Sequence, residues 1–502
     1  MDMSRYITNP NRWVIVAEQY SGLIRRGVDL LQKTVSDFYR DHLSVYTMHE
    51  VDETILRSCN LILIGRNESR LMAELIEKQI LTPCTKRQGY SACVTDSIWN
   101  DEKQMVVIAG ADEHGAAYGC VDFCNQYCGY DIYKCGKVWC SMYEGYFDTP
   151  FHEKLPKWSK ISAPDVEERG IWTWGHVIYD YRSFFDNMFL LKMNEIVIWN
   201  DYAPINAKEI ADYAHSLGMK LIWGFAWGWG VDCSVSEKLD DESLHQLRDE
   251  IVAKYEREYL NSGCDGIYFQ SFTELQTAYI GDKLIAETVV DFVNDTASAL
   301  LAKYPALHIQ FGLHADSVKN HTEFIAKVDP RVYIIWENCG SFPFQGEHAD
   351  NGSEYDFGDL PATRAFVEKI NVLRGTGDKF GVVMKGLTGL DWSRFIHQEP
   401  NLVMGERSKR FMHLRTEEKN RIWKFRQTYW IRNVEHVRLT TQSLLKNKDY
   451  MNVQALVEDG MFETGIPLPV AIYAETLWDA QKDGMETVLQ VMKYPCVTMA
   501  NL

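Results

Sequence analysis

Short apolar runs alternate with stretches of helical spacing along most of this chain. The pattern of apolar and polar positions changes once, near residue 150. Before that point, continuous apolar runs predict strands, and a period of 3.6 residues predicts helices. A polar turn between two of the runs predicts a hairpin. The predicted strands are 13–16, 61–64, 90–94 and 105–109, and the predicted helices are 21–40, 70–81 and 116–127. Together these elements predict a small mixed α/β domain.

A second series of apolar, often β-branched runs begins after residue 167, with helical patterns between them. Near-continuous apolar strands that alternate with helices are typical of a parallel sheet covered on both faces. Eight such units over roughly 330 residues predict a closed (β/α)8 barrel, that is, a TIM barrel. The eight predicted strands are 170–174, 195–199, 220–225, 266–269, 308–313, 332–336, 381–385 and 470–474.

The second helix of the predicted barrel carries its own start and stop signals. Asn206 is expected as the N-cap, Glu209 as its capping-box partner, and Gly218 as the terminator before strand three. Strand eight, in contrast, has two candidates, because 453–457 is also an apolar run. We prefer the later run, which leaves Glu475 at a strand end.

The length of 502 residues exceeds what one hydrophobic core usually organises, so we expect two domains. The pattern places a small α/β domain over 1–150 and the barrel over 168–502. Between them, 151–167 is rich in charge and proline and is expected to be a connecting arm. The predicted fold class is therefore α/β, with a TIM barrel preceded by a small α/β domain.

Composition bears on location and partners. The formal net charge of −18 disfavours nucleic acid and anionic membrane surfaces as partners. No apolar run is long enough to cross a bilayer, and the first thirty residues contain no secretory apolar region. The twelve cysteines are irregularly spaced, which is more typical of reduced thiols than of a disulfide framework. We therefore expect a soluble, cytoplasmic protein, and a homo-oligomer stays open.

The active site of a TIM barrel forms at the C-terminal ends of its strands, so the residues just after each run are the candidates. Carboxylates, amides and tryptophans dominate there, which suits an uncharged, polyhydroxylated substrate such as a carbohydrate. The expected substrate-binding residues are Trp174, His176, Asn200, Trp227, Trp229, Gln270, His314, Asp391, Glu475 and Trp478.

Two glutamates at strand ends form the expected catalytic pair. Cleavage of a glycosidic bond needs a protonated carboxylic acid beside the leaving oxygen and a second carboxylate, or a substrate acetamido group, at the anomeric centre. Glu274 follows strand four and Glu337 follows strand six, so both can face the barrel mouth. Their proximity is expected to raise the pKa of one of them, which makes it a general acid.

Other chemistries fit the sequence less well. Cys120, Cys124 and Cys128 fall four residues apart, but no paired His or Cys-x-x-Cys completes a metal site, so we expect neither a metal nor a cofactor. Two alternatives to a hydrolase stay open: a non-catalytic carbohydrate-binding barrel, and a barrel lyase or isomerase acting on sugar phosphates. The latter needs a basic phosphate site that the sequence does not display.

The stretch 106–119, with Gly110-Ala-Asp-Glu-His-Gly115, resembles the end of the small N-terminal domain shared by α-glucuronidases, family-20 β-hexosaminidases and related O-GlcNAc-cleaving enzymes. In those enzymes the pattern is G-x-D-x-R-G-x-x-Y-G, and His114 replaces the arginine here. The segments 168–194 and 213–218 resemble the opening of their barrel. The resemblance implies a glycoside hydrolase with a small α/β domain before a TIM barrel.

The resemblance also bears on the catalytic roles. In that group the general acid lies at the end of strand four, which implies Glu274. Thr273 stands where the hexosaminidases have the aspartate of their Asp-Glu pair. This departure favours a two-carboxylate scheme closer to that of the α-glucuronidases, with Glu337 as base or nucleophile.

Overall fold

The computed structural model divides into two compact units, one of residues 1–164 with 493–495 and one of residues 165–492 with 496–502. The residues that it describes are 12–39, 42–129, 151, 154–228, 240–275, 277–314, 317–339, 360–387, 398–446, 448, 450–457 and 462–500.

The first unit is built on a six-stranded sheet with the order β2-β1-β3-β5-β4-β6. The strands β2, β1, β3 and β5 are parallel, whereas β4 is antiparallel to both β5 and β6. Their bounds are β1 Trp13–Ala17, β2 Ser44–Thr47, β3 Asn60–Arg66, β4 Tyr90–Asp96, β5 Gln104–Gly110 and β6 Trp158–Ser162.

Four α-helices accompany this sheet, and the Asp residue before two of them explains where they begin. Asp52 accepts a hydrogen bond from the Ile55 amide, and Asp112 accepts one from the Gly115 amide at 2.8 Å. The helices are α1 Gly22–Tyr39, α2 Glu53–Ser58, α3 Arg70–Glu77 and α4 Glu113–Phe123, the last continued by a π-helical turn, Cys124–Gly129.

The sequence pattern found the main elements of this unit and missed three. The predicted hairpin is present, because β4 and β5 pair antiparallel and are joined by the short segment 97–103. The short elements β2 and α2 have no distinct apolar period and were not predicted. Strand β6 was also missed: it lies within the segment predicted as a connecting arm, yet it forms the edge of the sheet beside β4.

The second unit contains a closed barrel of eight parallel strands, in the order β10-β13-β14-β15-β16-β7-β8-β9. Seven of the eight predicted barrel strands are present. The observed bounds are β7 Glu168–Trp174, β8 Glu195–Trp199, β9 Lys220–Ala226, β10 Gly266–Gln270, β13 His308–Leu313, β14 Val332–Cys339, β15 Phe380–Leu387 and β16 Asn452–Val457. The short strands β11 Tyr279–Ile280, β12 Lys283–Leu284, β17 Ile466–Pro467 and β18 Val497–Thr498 lie outside the barrel.

The predicted position of strand eight was wrong. The run 470–474 lies inside a helix, Leu468–Trp478, and β16 closes the barrel by pairing with β15 on one side and β7 on the other. Every residue of that helix is buried, so it shows no polar face that would reveal a helical period.

Ten described α-helices belong to the barrel unit: α5 Tyr181–Leu190, α6 Ala207–Ser216, α7 Asp241–Lys254, α8 Ile285–Lys303, α9 Thr322–Ile325, α10 Leu360–Ile370, α11 Lys409–Arg432, α12 Val434–Leu445, α13 Leu468–Trp478 and α14 Gly484–Val491. Helix α6 begins after Asn206 and ends before Gly218, which has a positive φ of 69°, as predicted. The predicted capping box is absent, because the Asn206 side chain hydrogen-bonds the backbone of Met404 instead.

A polar layer crosses the inside of the barrel at the start of β8. Glu195 is fully buried, and its Oε1 accepts hydrogen bonds from the amides of Asn452, Gln310 and Gln454 at 2.7–3.0 Å. Its Oε2 has no partner among the described residues, and neither do the amide oxygens of Gln310 and Gln454. Burial and the nearby charge of Glu168 raise the pKa of Glu195 to about 7.

A helix that spans a bilayer must be both long and apolar. Within the described part of the chain, no helix is both long and apolar enough to span a membrane.

Candidate active site

Glu337 lies on β14 near the C-terminal ends of the barrel strands, and its side chain is only 3% exposed. Both carboxylate oxygens are occupied. Oε1 accepts hydrogen bonds from the Tyr268 hydroxyl and the Gln270 amide. Oε2 lies 2.7 Å from Nε2 of His314 and 3.3 Å from Nζ of Lys385. Four donors from three neighbouring strands or strand ends therefore surround one carboxylate.

The period of two along each strand explains why these residues meet. Tyr268 and Gln270 are two apart on β10, so both point into the barrel. Between β10 and β14 runs β13, where Gly312 leaves room for the contact. A Cβ atom at Gly312 would lie 2.5 Å from Oε1 of Glu337 and closer still to the Tyr268 hydroxyl. The position needs a residue without a side chain.

The surroundings of Glu337 keep it ionised. Burial by itself raises the pKa of a carboxyl, but the charges of His314 and Lys385 and the hydrogen bonds from His314 and Gln270 outweigh it. The pKa of Glu337 is therefore lowered from its ordinary value. Burial and the adjacent Glu337 charge raise the pKa of Tyr268 well above its ordinary value, so the phenol keeps its proton. Glu337 is therefore not the carboxyl with a raised pKa that we expected to act as the general acid.

Glu274 closes a short 3-10 turn, Phe272–Glu274, directly after β10, so its backbone lies at the same end of the barrel. The turn is tied to the segment that follows β13. The backbone N–H of His314 donates to Oγ1 of Thr273 at 3.2 Å, and the Ser317 hydroxyl donates to the Thr273 carbonyl at 3.0 Å. The Glu274 side chain lies outside what the structure describes, so its pairing with Glu337 stays a prediction.

Three tryptophans form an aromatic cluster inside the barrel. The ring centroids of Trp174 and Trp172 are 5.1 Å apart, and those of Trp174 and Trp199 are 5.8 Å apart. Trp174 ends β7 and Trp199 ends β8, so the cluster reaches the mouth of the barrel. Two predicted substrate-binding residues follow these strands: His176, 6.3 Å from the Trp174 ring between centroids, and Asn200, which is buried.

This architecture has counterparts among solved structures, although no family model and no curated protein matches the sequence. A GH138 enzyme that targets pectin rhamnogalacturonan II is 10% identical with a TM-score of 0.52, over 94% of this chain and 51% of that chain. A mutant Streptomyces plicatus β-hexosaminidase in complex with its product GlcNAc is 10% identical with a TM-score of 0.50, over 96% and 90%.

The fold of this chain is that of these glycoside hydrolases. The predicted combination of a TIM barrel with a preceding small α/β domain is thereby confirmed. This chain spans about half the length of the GH138 enzyme and most of the hexosaminidase.

The structure separates Trp227 from the Glu337 cluster. Trp227 is fully buried, and its ring stacks on Phe269 with a centroid distance of 3.6 Å. Phe269 alternates with the inward-pointing Tyr268, so it faces the surrounding helices, and so does Trp227. Trp229 and Asp391, two further predicted substrate-binding residues, lie outside the described residues.

Glu475 and Trp478 lie at the opposite end of the barrel, and the predicted strand-end position was wrong for both. They belong to helix α13. The backbone carbonyl of Trp478 accepts a hydrogen bond from the backbone N–H of Asp165, just before β7. The Glu475 carboxylate pairs with Lys192, which precedes β8, at 3.5 Å. The same ammonium lies 4.1 Å from the Trp478 ring centroid. This buried cluster joins a helix to the barrel.

Sequence reasoning missed two members of the Glu337 cluster, Tyr268 and Lys385. Each lies inside a predicted strand, 266–269 or 381–385, whereas every predicted site residue except Trp174 follows its run. The inward period could have found them, because Tyr268 is two residues before Gln270. Among the described side chains, no group of three or more His, Cys, Asp or Glu residues could hold a metal ion.

Proposed function

We propose that this chain is a glycoside hydrolase that cleaves O-glycosidic bonds in a small oligosaccharide or glycoconjugate. The observation that carries the proposal is the buried, ionised Glu337 at the catalytic end of a TIM barrel. Negative charge held in place by fixed donors is suited to stabilise the positive, oxocarbenium-like transition state of glycosidic cleavage. The shared fold with known glycoside hydrolases supports the same conclusion.

The proposed general acid is Glu274. A general acid must carry a proton at the working pH, and the donors around Glu337 favour the opposite state. Glu274 directly follows β10 at this end, and the Thr273 contacts fix the backbone of its turn.

The test is a panel of aryl glycosides that includes glucuronides and N-acetylhexosaminides, together with pectin rhamnogalacturonan II. Wild type should release the aglycone from at least one aryl glycoside or a sugar from rhamnogalacturonan II. Glu274→Gln should lower kcat/KM by about 10²-fold or more, since it removes the acid. Glu323→Gln, on an exposed carboxylate, is the matched control and should match wild type. Full activity of Glu274→Gln would remove this residue from the mechanism.

A second candidate is a sugar-binding barrel without turnover. The observation that favours it is the complete occupation of both Glu337 oxygens, which leaves neither oxygen open for direct attack. Calorimetric titration with the same sugars separates the candidates. Binding without product after prolonged incubation supports the second candidate, and product formation supports the first.

Free thiols support a cytoplasmic location, which is also a proposal. Six cysteines with described side chains carry free thiols: Cys59, Cys84, Cys93, Cys120, Cys124 and Cys264. Cell fractionation tests the location, and light scattering tests whether the chain forms a homo-oligomer.

A further inference from the structure

We infer that a second copy of this chain binds to helix α11 through the acidic groove between its own helices α7 and α8, so that copies associate head to tail. The inference goes beyond the proposed function and does not depend on it, because it concerns a contact between two proteins and not turnover. Both surfaces belong to the barrel unit.

Helix α11 concentrates positive charge in a chain that is acidic as a whole. Its 24 residues hold eight Lys or Arg residues and two Glu residues, a net charge of +6, whereas the whole chain carries −18. Met412, Trp423, Gln427 and Trp430 form its buried face. The overall composition therefore hides a local basic surface, and such a surface attracts an acidic partner.

One face of α11 combines arginine with apolar side chains. At about 100° per residue, five exposed residues fall within about 60° of one another, on the side of the helix opposite its buried face. These residues form the basic stripe: Arg410, Leu414, Arg421, Phe425 and Arg432. Leu414 and Phe425 are 56% and 51% exposed. Within the described part of the chain, no ion pair engages the three arginines. Exposed apolar and charged side chains in one line along a helix are typical of a contact surface.

A groove of opposite charge lies between α7 and α8, beside the short strands β11 and β12. It has a volume of about 600 Å³, and its lining includes five carboxylates and one ammonium group, that of Lys283. Asp241 pairs with Lys283 at 3.3 Å, and Asp295 pairs with Arg248 at 2.8 Å. The other three carboxylates have no ion-pair partner among the described residues: Asp282, Glu287 and Asp291. The groove therefore keeps negative charge that a partner can neutralise.

The two surfaces are complementary in chemistry. A guanidinium group forms paired hydrogen bonds with a carboxylate, which suits the arginines of the stripe to the carboxylates of the groove. The groove also offers apolar and aromatic surface, because Leu244 and Phe292 line it together with Tyr279, which is 53% exposed. These groups suit Leu414 and Phe425, and the face of an aromatic ring also attracts a guanidinium cation. A second copy thus supplies each kind of group that the stripe requires.

The two surfaces lie on nearly opposite sides of the barrel. Helices α7 and α8 follow the neighbouring strands β9 and β10, whereas α11 follows β15. In the closed barrel, two strands separate β10 from β15 on one side and four on the other. One copy therefore cannot bring its own stripe and groove together. The contact joins unlike surfaces of two copies and leaves one of each open, so repeated contacts give a ring or an open chain.

Sedimentation of the full chain at several concentrations is the first test. In about 0.05 M salt, wild type should sediment faster as its concentration rises, because copies associate. In about 1 M salt the Debye length falls to about 3 Å, so exposed charges are screened and wild type should sediment as a monomer. Wild type that stays monomeric at low salt overturns the inference.

Two charge-reversed variants test whether the contact is head to tail. Arg410→Glu with Arg421→Glu reverses the stripe and keeps the groove, whereas Glu287→Lys with Asp291→Lys reverses the groove and keeps the stripe. Each variant alone should associate at least about 10²-fold more weakly than wild type, since like charges then meet. An equimolar mixture should form a dimer that grows no further, because each variant keeps one intact surface. A mixture that stays monomeric overturns the inference, and so does a folded variant that associates like wild type by itself.

Matched controls reverse the same number of exposed charges elsewhere on the barrel unit. Lys208→Glu with Lys369→Glu is the control for the stripe variant, and Asp212→Lys with Glu323→Lys is the control for the groove variant. Both should associate like wild type. Thermal melts show which variants are folded, and a double variant that fails to fold is replaced by its second single substitution.

The remaining outcomes separate this inference from other occupants and from the proposed function. Wild type that stays monomeric but binds vesicles rich in phosphatidylserine, or soluble polygalacturonate, would assign the stripe to another anionic partner and overturn the inference. Association is measured as mass, so a chain that cleaves no glycoside still tests it. Failed association, in turn, leaves the proposed hydrolase unaffected.

Discussion

At the scale of single residues, the missing side chain of Gly312 matters as much as the groups that carry charge. Its strand lies between those of Tyr268 and Glu337, and their hydrogen bond spans the space that a side chain would fill. We predict that Gly312→Ala displaces the Glu337 carboxylate and lowers kcat/KM by about 10²-fold, since displacements near 1 Å have such effects.

Kinetic constants and thermal melts check this prediction. Gly377→Ala is its control, because no described atom beyond its two chain neighbours lies within 4 Å of the added carbon there. Equal kcat/KM for the two variants would show that the contact across Gly312 has no part in turnover.

Glu195 sets a pH dependence of stability rather than of catalysis. Its pKa of about 7 in the folded protein lies above the ordinary value that it regains on unfolding. Its stabilising contribution is therefore present at acidic pH and is lost as the pH rises towards 7. Glu195→Gln removes this loss, and it adds an amide donor to a layer in which the amide oxygens of Gln310 and Gln454 have no partner among the described residues.

We predict that the free energy of unfolding of Glu195→Gln, relative to wild type, rises by on the order of 2 kcal/mol between pH 5 and pH 8. Urea denaturation at both values measures it. A difference between the two proteins that stays constant with pH would contradict the raised pKa.

How far the sequence predicts the site is clear from individual residues. Glu337, Gln270 and His314 could be predicted because TIM barrels place their chemistry at strand ends. Tyr268 could not be found by the same rule, since an aromatic residue within an apolar strand is usually core. The number of hydrogen bonds that Glu337 accepts could not be predicted either. Its partners lie on other strands, up to 69 residues away in the sequence, and the sequence does not show which of them meet.

At the scale of elements, strand β16 and helix α13 show that an apolar run alone does not distinguish a strand from a buried helix. The strand carries Asn452 and Gln454, whose side chains bind Glu195 inside the barrel, so it looks less apolar than the helix. The helix is buried on all sides. Pro469 in its first turn was the available signal, because proline favours the start of a helix.

Helix α13 is held to the barrel by a buried ion pair, which yields a prediction about stability alone. The side chains of Glu475 and Lys192 are each 3% exposed. Glu475→Ala leaves the Lys192 ammonium without this carboxylate, so the free energy of unfolding should fall by about 3 kcal/mol or more. The kcat of the folded variant should be unchanged, because the pair lies at the end opposite Glu337.

Asp212→Ala is the comparison for that variant, since its partner Lys208 is exposed. Chemical denaturation should show a change below about 1 kcal/mol. A loss of kcat in folded Glu475→Ala would place this cluster in the catalytic machinery after all.

At the scale of the whole molecule, each of the two compact units has its own core. The first packs apolar side chains against its six-stranded sheet, and the second fills its barrel with the tryptophan cluster. We predict more than one transition in a calorimetric scan, because separate cores unfold as separate cooperative units. Glu475→Ala should lower only the transition of the barrel unit, and a single transition that shifts as a whole would refute the division.

The hydrogen bonds to Glu337 come from the strands and strand ends of β10, β13 and β15, so the position of the charge follows from the register of the sheet. If the proposed function holds, an engineer who wished to change the accepted sugar could therefore exchange connecting segments above the barrel and leave the charge of Glu337 where it is. Selection could do the same, with new specificities arising on an unaltered electrostatic centre.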